Sequence, residues 1–148
     1  MHAEILNEPF RVTLLGCGGE IGSDGISVNG KRYMDNMWQE VRERGVKTKG
    51  INHWVYLPNS TIFTGVELAE PTADPGTLEK IDVSLDRYLR HIHKGDYSTL
   101  PQIWPLLFAH LKELYEILKY PNLEIYGHWN ADPSKCETTI LIGLDQKQ

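Results

Sequence analysis

The pattern of apolar and polar positions divides the chain into short strands and two amphipathic helices. Phe10 to Leu15 alternates as a strand and runs into a glycine-rich stretch, Gly16 to Gly25. Met34, Met37, Trp38 and Val41 fall on one face of a helix predicted over about Lys31 to Arg44, with Gly45 as its stop. His53 to Leu57 and Thr61 to Leu68 read as strands joined by the turn residues Pro58-Asn59-Ser60. Pro71 to Gly76 breaks all periodicity and reads as a linker between two halves, about 1–72 and 77–148. The second half opens with a strand-like run, Ile81 to His93, and a turn at Gly95-Asp96. A helix over about Thr99 to Lys119 follows, with Leu100, Ile103, Trp104, Leu107, Leu111, Leu114 and Leu118 as its buried stripe. Pro105 inside it is tolerable only near the first turn or at a kink. Leu123 to Trp129 and Thr138 to Leu144 close the chain as strands.

The resulting order is strand-helix-strand-strand, twice. It predicts an α+β domain with a duplicated β-α-β-β repeat and pseudo-twofold symmetry. An antiparallel sheet would carry two helices on one face and leave a central ligand groove. Alternation along the strands sorts the side chains. Glu124, Tyr126 and His128 share one face, opposite Leu123, Ile125 and Trp129. Trp54 and Tyr56 oppose His53, Val55 and Leu57, and Phe63, Gly65 and Glu67 oppose Ile62, Thr64 and Val66. With the aliphatic faces under the helices, Glu124, Tyr126, Trp54, Tyr56, Phe63 and Glu67 are expected to line the groove. Mid-strand Gly65 would leave room for a ligand or a ring.

Composition narrows the function classes. At 148 residues, 41% hydrophobic and 24% charged, the chain reads as one globular domain. No apolar run nears the ~20 residues of a membrane span, and the first ten residues lack a signal-peptide pattern. A net charge of -5 gives no support for direct nucleic-acid binding. Cys17 and Cys136 lack CxxC spacing and fit reduced thiols in a cytoplasmic protein. Gly16-Cys17-Gly18-Gly19-Glu20-Ile21-Gly22 departs from the dinucleotide fingerprint, because Ile21 stands where its third glycine belongs; a flexible loop is expected instead. His91 and His93 share a strand face, but no third ligand completes a metal site. No cofactor or metal is implied.

The segment Arg87 to Tyr97 with its His93-Lys94-Gly95-Asp96-Tyr97 turn, the Trp104-Pro105 helix and the Glu124-Ile125-Tyr126 strand together resemble the GyrI-like, AraC-type effector-binding family. Trp38, Val55-Tyr56 and Phe63-Thr64-Gly65-Val66-Glu67 resemble that family's first repeat. The resemblance covers nearly the whole chain and suggests a stand-alone form without a helix-turn-helix arm. It implies a groove that binds lipophilic, cationic small molecules against aromatic rings and a buried glutamate, which falls on Glu124. It also implies that Trp38 and Trp104 reach the groove floor from the helices. Tyr97, just after Gly95-Asp96, suits either a cover over the groove's end or packing at the helix entry. Both tryptophans equally suit the helix core.

Three functions remain open. One is binding, sensing or sequestering a hydrophobic cation, as in drug-responsive transcription regulation. Another is hydrolysis of cyclopropane-containing alkylating toxins in the same groove by Glu124 with Tyr126 or Tyr88. The third is gyrase-inhibitor-like protein antagonism. No membrane partner is expected, and a homodimer stays open.

Overall fold

A computed structural model describes residues 2–70, 74–128 and 130–147. The element order is β1 (Ala3–Leu6), β2 (Phe10–Glu20), α1 (Ile26–Arg44), β3 (Thr48–Leu57), β4 (Thr61–Leu68), β5 (Glu79–Leu85), β6 (Tyr88–Lys94), α2 (Leu100–Glu113), β7 (Leu118–Tyr126) and β8 (Glu137–Leu144). The strands form one eight-stranded antiparallel sheet in the order β1-β6-β8-β7-β3-β4-β2-β5.

Register assigns every side chain to one of two faces. Leu15 pairs with Val66, Val66 with Asn52, Asn52 with Tyr126, and Tyr126 with Thr138. On that face Met37 and Val41 of α1 pack on Leu15, Val66 and Leu68. On the same face Leu107 and Leu111 of α2 pack on Leu89, Ile140 and Ile142. Both helices therefore cover one side of the sheet. The other side buries Leu14, Val55, Phe63, Leu123 and Leu141, and among the described residues no helix contributes to that cluster. It does so by curling. β5 and β6 stand near opposite ends of the strand order, yet only Asp86 and Arg87 separate them in sequence. That short connection brings the ends together, and the rings of Phe10 and Tyr88 meet edge to face at 6.2 Å.

Several elements differ from the sequence expectation. The stretch Gly16 to Glu20 is the second half of β2, not a loop. A Cβ on Gly16 would stand 1.9 Å from the Thr64 carbonyl oxygen, and one on Gly18 would stand 2.1 Å from that of Ile62. Glycine here permits close backbone approach by β4. The helix α1 begins at Ile26, five residues before the expected start, and ends at Gly45 in the left-handed conformation. Ile81 to His93 is two strands, broken at Asp86-Arg87. The helix α2 stops at Glu113, so Leu114 and Leu118 do not extend its stripe; both are exposed, and Leu118 opens β7. Pro105 lies in the second turn of α2 and has no N–H to donate to the Pro101 carbonyl. β7 ends at Tyr126, short of the expected Trp129, which lies outside the described residues, as does the Pro71–Ala73 part of the expected linker.

Among the described residues no helix is long and apolar enough to cross a membrane, and no three His, Cys, Asp or Glu side chains gather to hold a metal ion. Both cysteines are free.

Candidate functional site

The two central strands, β3 and β7, present the same frame to the helix-bearing face. β3 carries Asn52, Trp54 and Tyr56; β7 carries Asn122, Glu124 and Tyr126. Antiparallel pairing sets Asn52 against Tyr126, Trp54 against Glu124, and Tyr56 against Asn122. Above them the helices part and leave a cavity of about 1060 Å³. Trp54, Tyr56, Glu124 and Tyr126 line it from the sheet, Met34 from α1, and Trp104 from α2. Its volume lies just above the usual ~300–1,000 Å³ of small-molecule sites. The apolar side chains Ile26, Phe108 and Tyr120 at its margin are exposed.

Glu124 is 4% exposed. Tyr56 Oη donates to its Oε1 at 2.6 Å and Tyr126 Oη donates to the same oxygen at 3.0 Å. Trp104 Nε1 donates to Oε2 at 2.8 Å. Three donors converge on one carboxyl, an arrangement that suits its anionic form and offsets the desolvation of a buried charge. Burial, reinforced by the adjacent Glu124, raises both phenols well above the ordinary tyrosine value, so they remain protonated and able to donate.

The rings brace one another. Tyr56 meets Trp104 edge to face at 5.7 Å. Tyr126 makes the same contact with Trp54 at 6.0 Å and with Tyr97 at 5.3 Å. Such pairs contribute about 0.5–1.5 kcal/mol beyond their area. Tyr97, in the turn before α2, also lines the cavity. Tyr56→Phe is expected to lower stability by about 1–2 kcal/mol in urea unfolding, because a bond to a charged group is lost while Tyr126 still serves the same oxygen. No loss at all would mean that the bond does not hold the carboxyl.

Three of the residues expected in the groove stand elsewhere. Phe63 and Glu67 lie on the helix-free face. Phe63 pairs with Val55 and is buried inside the curl. Glu67 bonds His53 Nε2 at 2.9 Å. Trp38 does not line the cavity; it packs on the α1 side of the core and donates from Nε1 to Asn52 Oδ1 at 3.0 Å. Tyr88 too belongs to the helix-free core and cannot assist Glu124. Asn52 and Asn122, which line the cavity, went unrecognised in the sequence. Their signal was the matching Asn-x-Trp-x-Tyr and Asn-x-Glu-x-Tyr runs of the two strands.

Known proteins share this fold. The C-terminal domain of EcmrR aligns over 99% of this chain and 98% of its own, at a TM-score of 0.76 and 15% identity. SAV2435, in a structure with tetraphenylphosphonium bound, aligns over 98% and 94% at 0.63 and 16% identity. A hydrolase from Listeria innocua aligns over 97% and 91% at 0.56 and 10% identity. The sequence matches no protein-family model and no curated protein. The likeness shows the fold, one consistent with the GyrI-like effector-binding architecture that the motifs resemble.

Proposed function

We propose that the protein binds a bulky, lipophilic organic cation in this cavity, sensing or sequestering it. One observation carries the reading: a carboxyl almost wholly withdrawn from solvent, held by three donors among aromatic rings in a cavity of about 1060 Å³. Aromatic faces attract a cation by about 0.5–1 kcal/mol each when exposed, and ~2 or more when desolvated. The carboxylate adds the counter-charge. Its own donors keep it ordered before a ligand arrives, so little reorganisation is needed on binding. SAV2435, whose fold this chain shares, binds a cation of this kind.

Titration of the intrinsic tryptophan fluorescence with benzyltrimethylammonium and its uncharged isostere neopentylbenzene tests the reading. The cation is expected to bind measurably tighter. Equal affinity for both would remove charge recognition, and binding of neither lipophilic cations nor isosteres would remove the ligand site.

Hydrolysis in the same cavity has one feature in its favour, the convergence of a carboxyl and two phenols. A general acid, however, must hold a proton near its working pKa and hand it on. Both oxygens of Glu124 already accept bonds from neutral donors, an arrangement that favours a fixed anion over a proton donor.

A further inference from the structure

Gly30 is buried in the interior of α1. A glycine there costs about 0.5–1 kcal/mol relative to alanine, and its backbone is not in the left-handed region that would demand glycine. The reason for it is proximity. A Cβ at this position would stand 2.6 Å from Cζ3 and 2.8 Å from Cη2 of the Trp54 indole. Any side chain here would drive that ring away from α1. The ring is met on another side by Tyr126, which holds Glu124 and braces Tyr97.

We propose that Gly30 is a specificity-determining residue: by letting the Trp54 ring seat against α1, it sets the width of the cavity on that side and admits cations with bulky aryl groups beside Glu124. This rests on the cation-binding reading above. Alanine at position 30 narrows the cavity through Trp54, while Tyr56 and Trp104 still hold the carboxyl. A bulky ligand then suffers more than a slender one.

The test compares wild type, Gly30→Ala, Trp54→Phe and Gly30→Ala/Trp54→Phe as full chains. The Trp54 indole N–H resonance, identified by its loss in Trp54→Phe, reports ring position without ligand. Calorimetry with tetraphenylphosphonium and benzyltrimethylammonium reads specificity. In Gly30→Ala the resonance is expected to shift and tetraphenylphosphonium to weaken roughly tenfold or more. Benzyltrimethylammonium should change by a clearly smaller factor, and the smaller ring of the double variant should recover part of the loss. An unmoved resonance, or equal loss for both cations, would overturn the proposal. Failure of the underlying ligand reading looks different: wild type binds neither cation, and the specificity role falls with it. Should Gly30→Ala not fold, Trp54→Phe alone must raise the preference for tetraphenylphosphonium; an unchanged or reversed preference overturns the proposal.

Discussion

Glu124→Gln is expected to weaken lipophilic cations by about thirtyfold or more while leaving the fold intact. Truncating one partner of a buried charge pair typically costs at least about 2 kcal/mol, which is roughly that factor. The substitution suits the site because the existing donors differ in kind. Trp104 Nε1 can only donate, so the glutamine oxygen must take the Oε2 position. The new amide nitrogen then faces the hydroxyls of Tyr56 and Tyr126, which can rotate and accept. Charge disappears and geometry stays. The ligand-free protein should stay within about 1 kcal/mol of wild type in urea, since relief from burying an ionised group offsets the weakening of its three hydrogen bonds. Calorimetry on a single cation and its neutral isostere separates the effects: the variant should bind the two alike. A variant that keeps the wild-type preference for the cation would show that the charge is read elsewhere.

That expectation depends on which strand faces meet in the cavity, and the sequence exposed only part of this. Alternation correctly grouped Trp54 with Tyr56 and Glu124 with Tyr126, because period two is a local property of a strand. It grouped Phe63 with Glu67 just as correctly. What it could not supply was the side to which the third group belongs. That depends on register between strands. Phe63 sits opposite Val55 and Gly65 opposite His53, which puts this group behind the sheet. An aromatic ring is equally at home in a cavity or in a core, so residue type did not decide.

The glycines of β2 misled for a related reason. Dense glycine normally marks a turn, yet Gly16 and Gly18 are required by the closeness of β4, a tertiary contact with no local signature. The helix α2 ends with no glycine or proline at its last turn; Tyr115 takes a positive φ of 57°. A periodic reading therefore runs on through Leu114 and Leu118. The curl of the sheet was invisible because its closing connection, Asp86-Arg87, interrupts what reads as one long strand.

Arg87 in that connection carries the other large effect: Arg87→Ala is expected to cost about 3 kcal/mol of stability in urea unfolding, the low end for a buried charge that loses its main partner, because Lys147 Nζ still stands 3.3 Å from Glu116 Oε1. Arg87 is 8% exposed and Glu116 is 4% exposed. Nη1 and Nη2 engage the two carboxylate oxygens at 2.6 and 2.7 Å, and Nη1 also donates to the Asp145 carbonyl at 2.9 Å. The pair ties the β5–β6 connection to the α2–β7 loop and to the residues after β8. Replacing both partners, as in Arg87→Met/Glu116→Leu, should cost far less, because no charge is then stranded. The pH dependence follows from the same contacts. The Arg87 bond, opposed by burial and reinforced by Lys147, holds the Glu116 carboxyl at about 2 against an ordinary 4.5. A carboxyl lowered on folding contributes stability that is complete above its unfolded value and disappears as pH falls through the folded one. Wild type should accordingly lose this contribution between about pH 4.5 and 2. Arg87→Ala, in which only Lys147 still pairs with Glu116, should show a flatter acid limb over that interval. Identical slopes for the two proteins would mean that the guanidinium does not control the carboxyl.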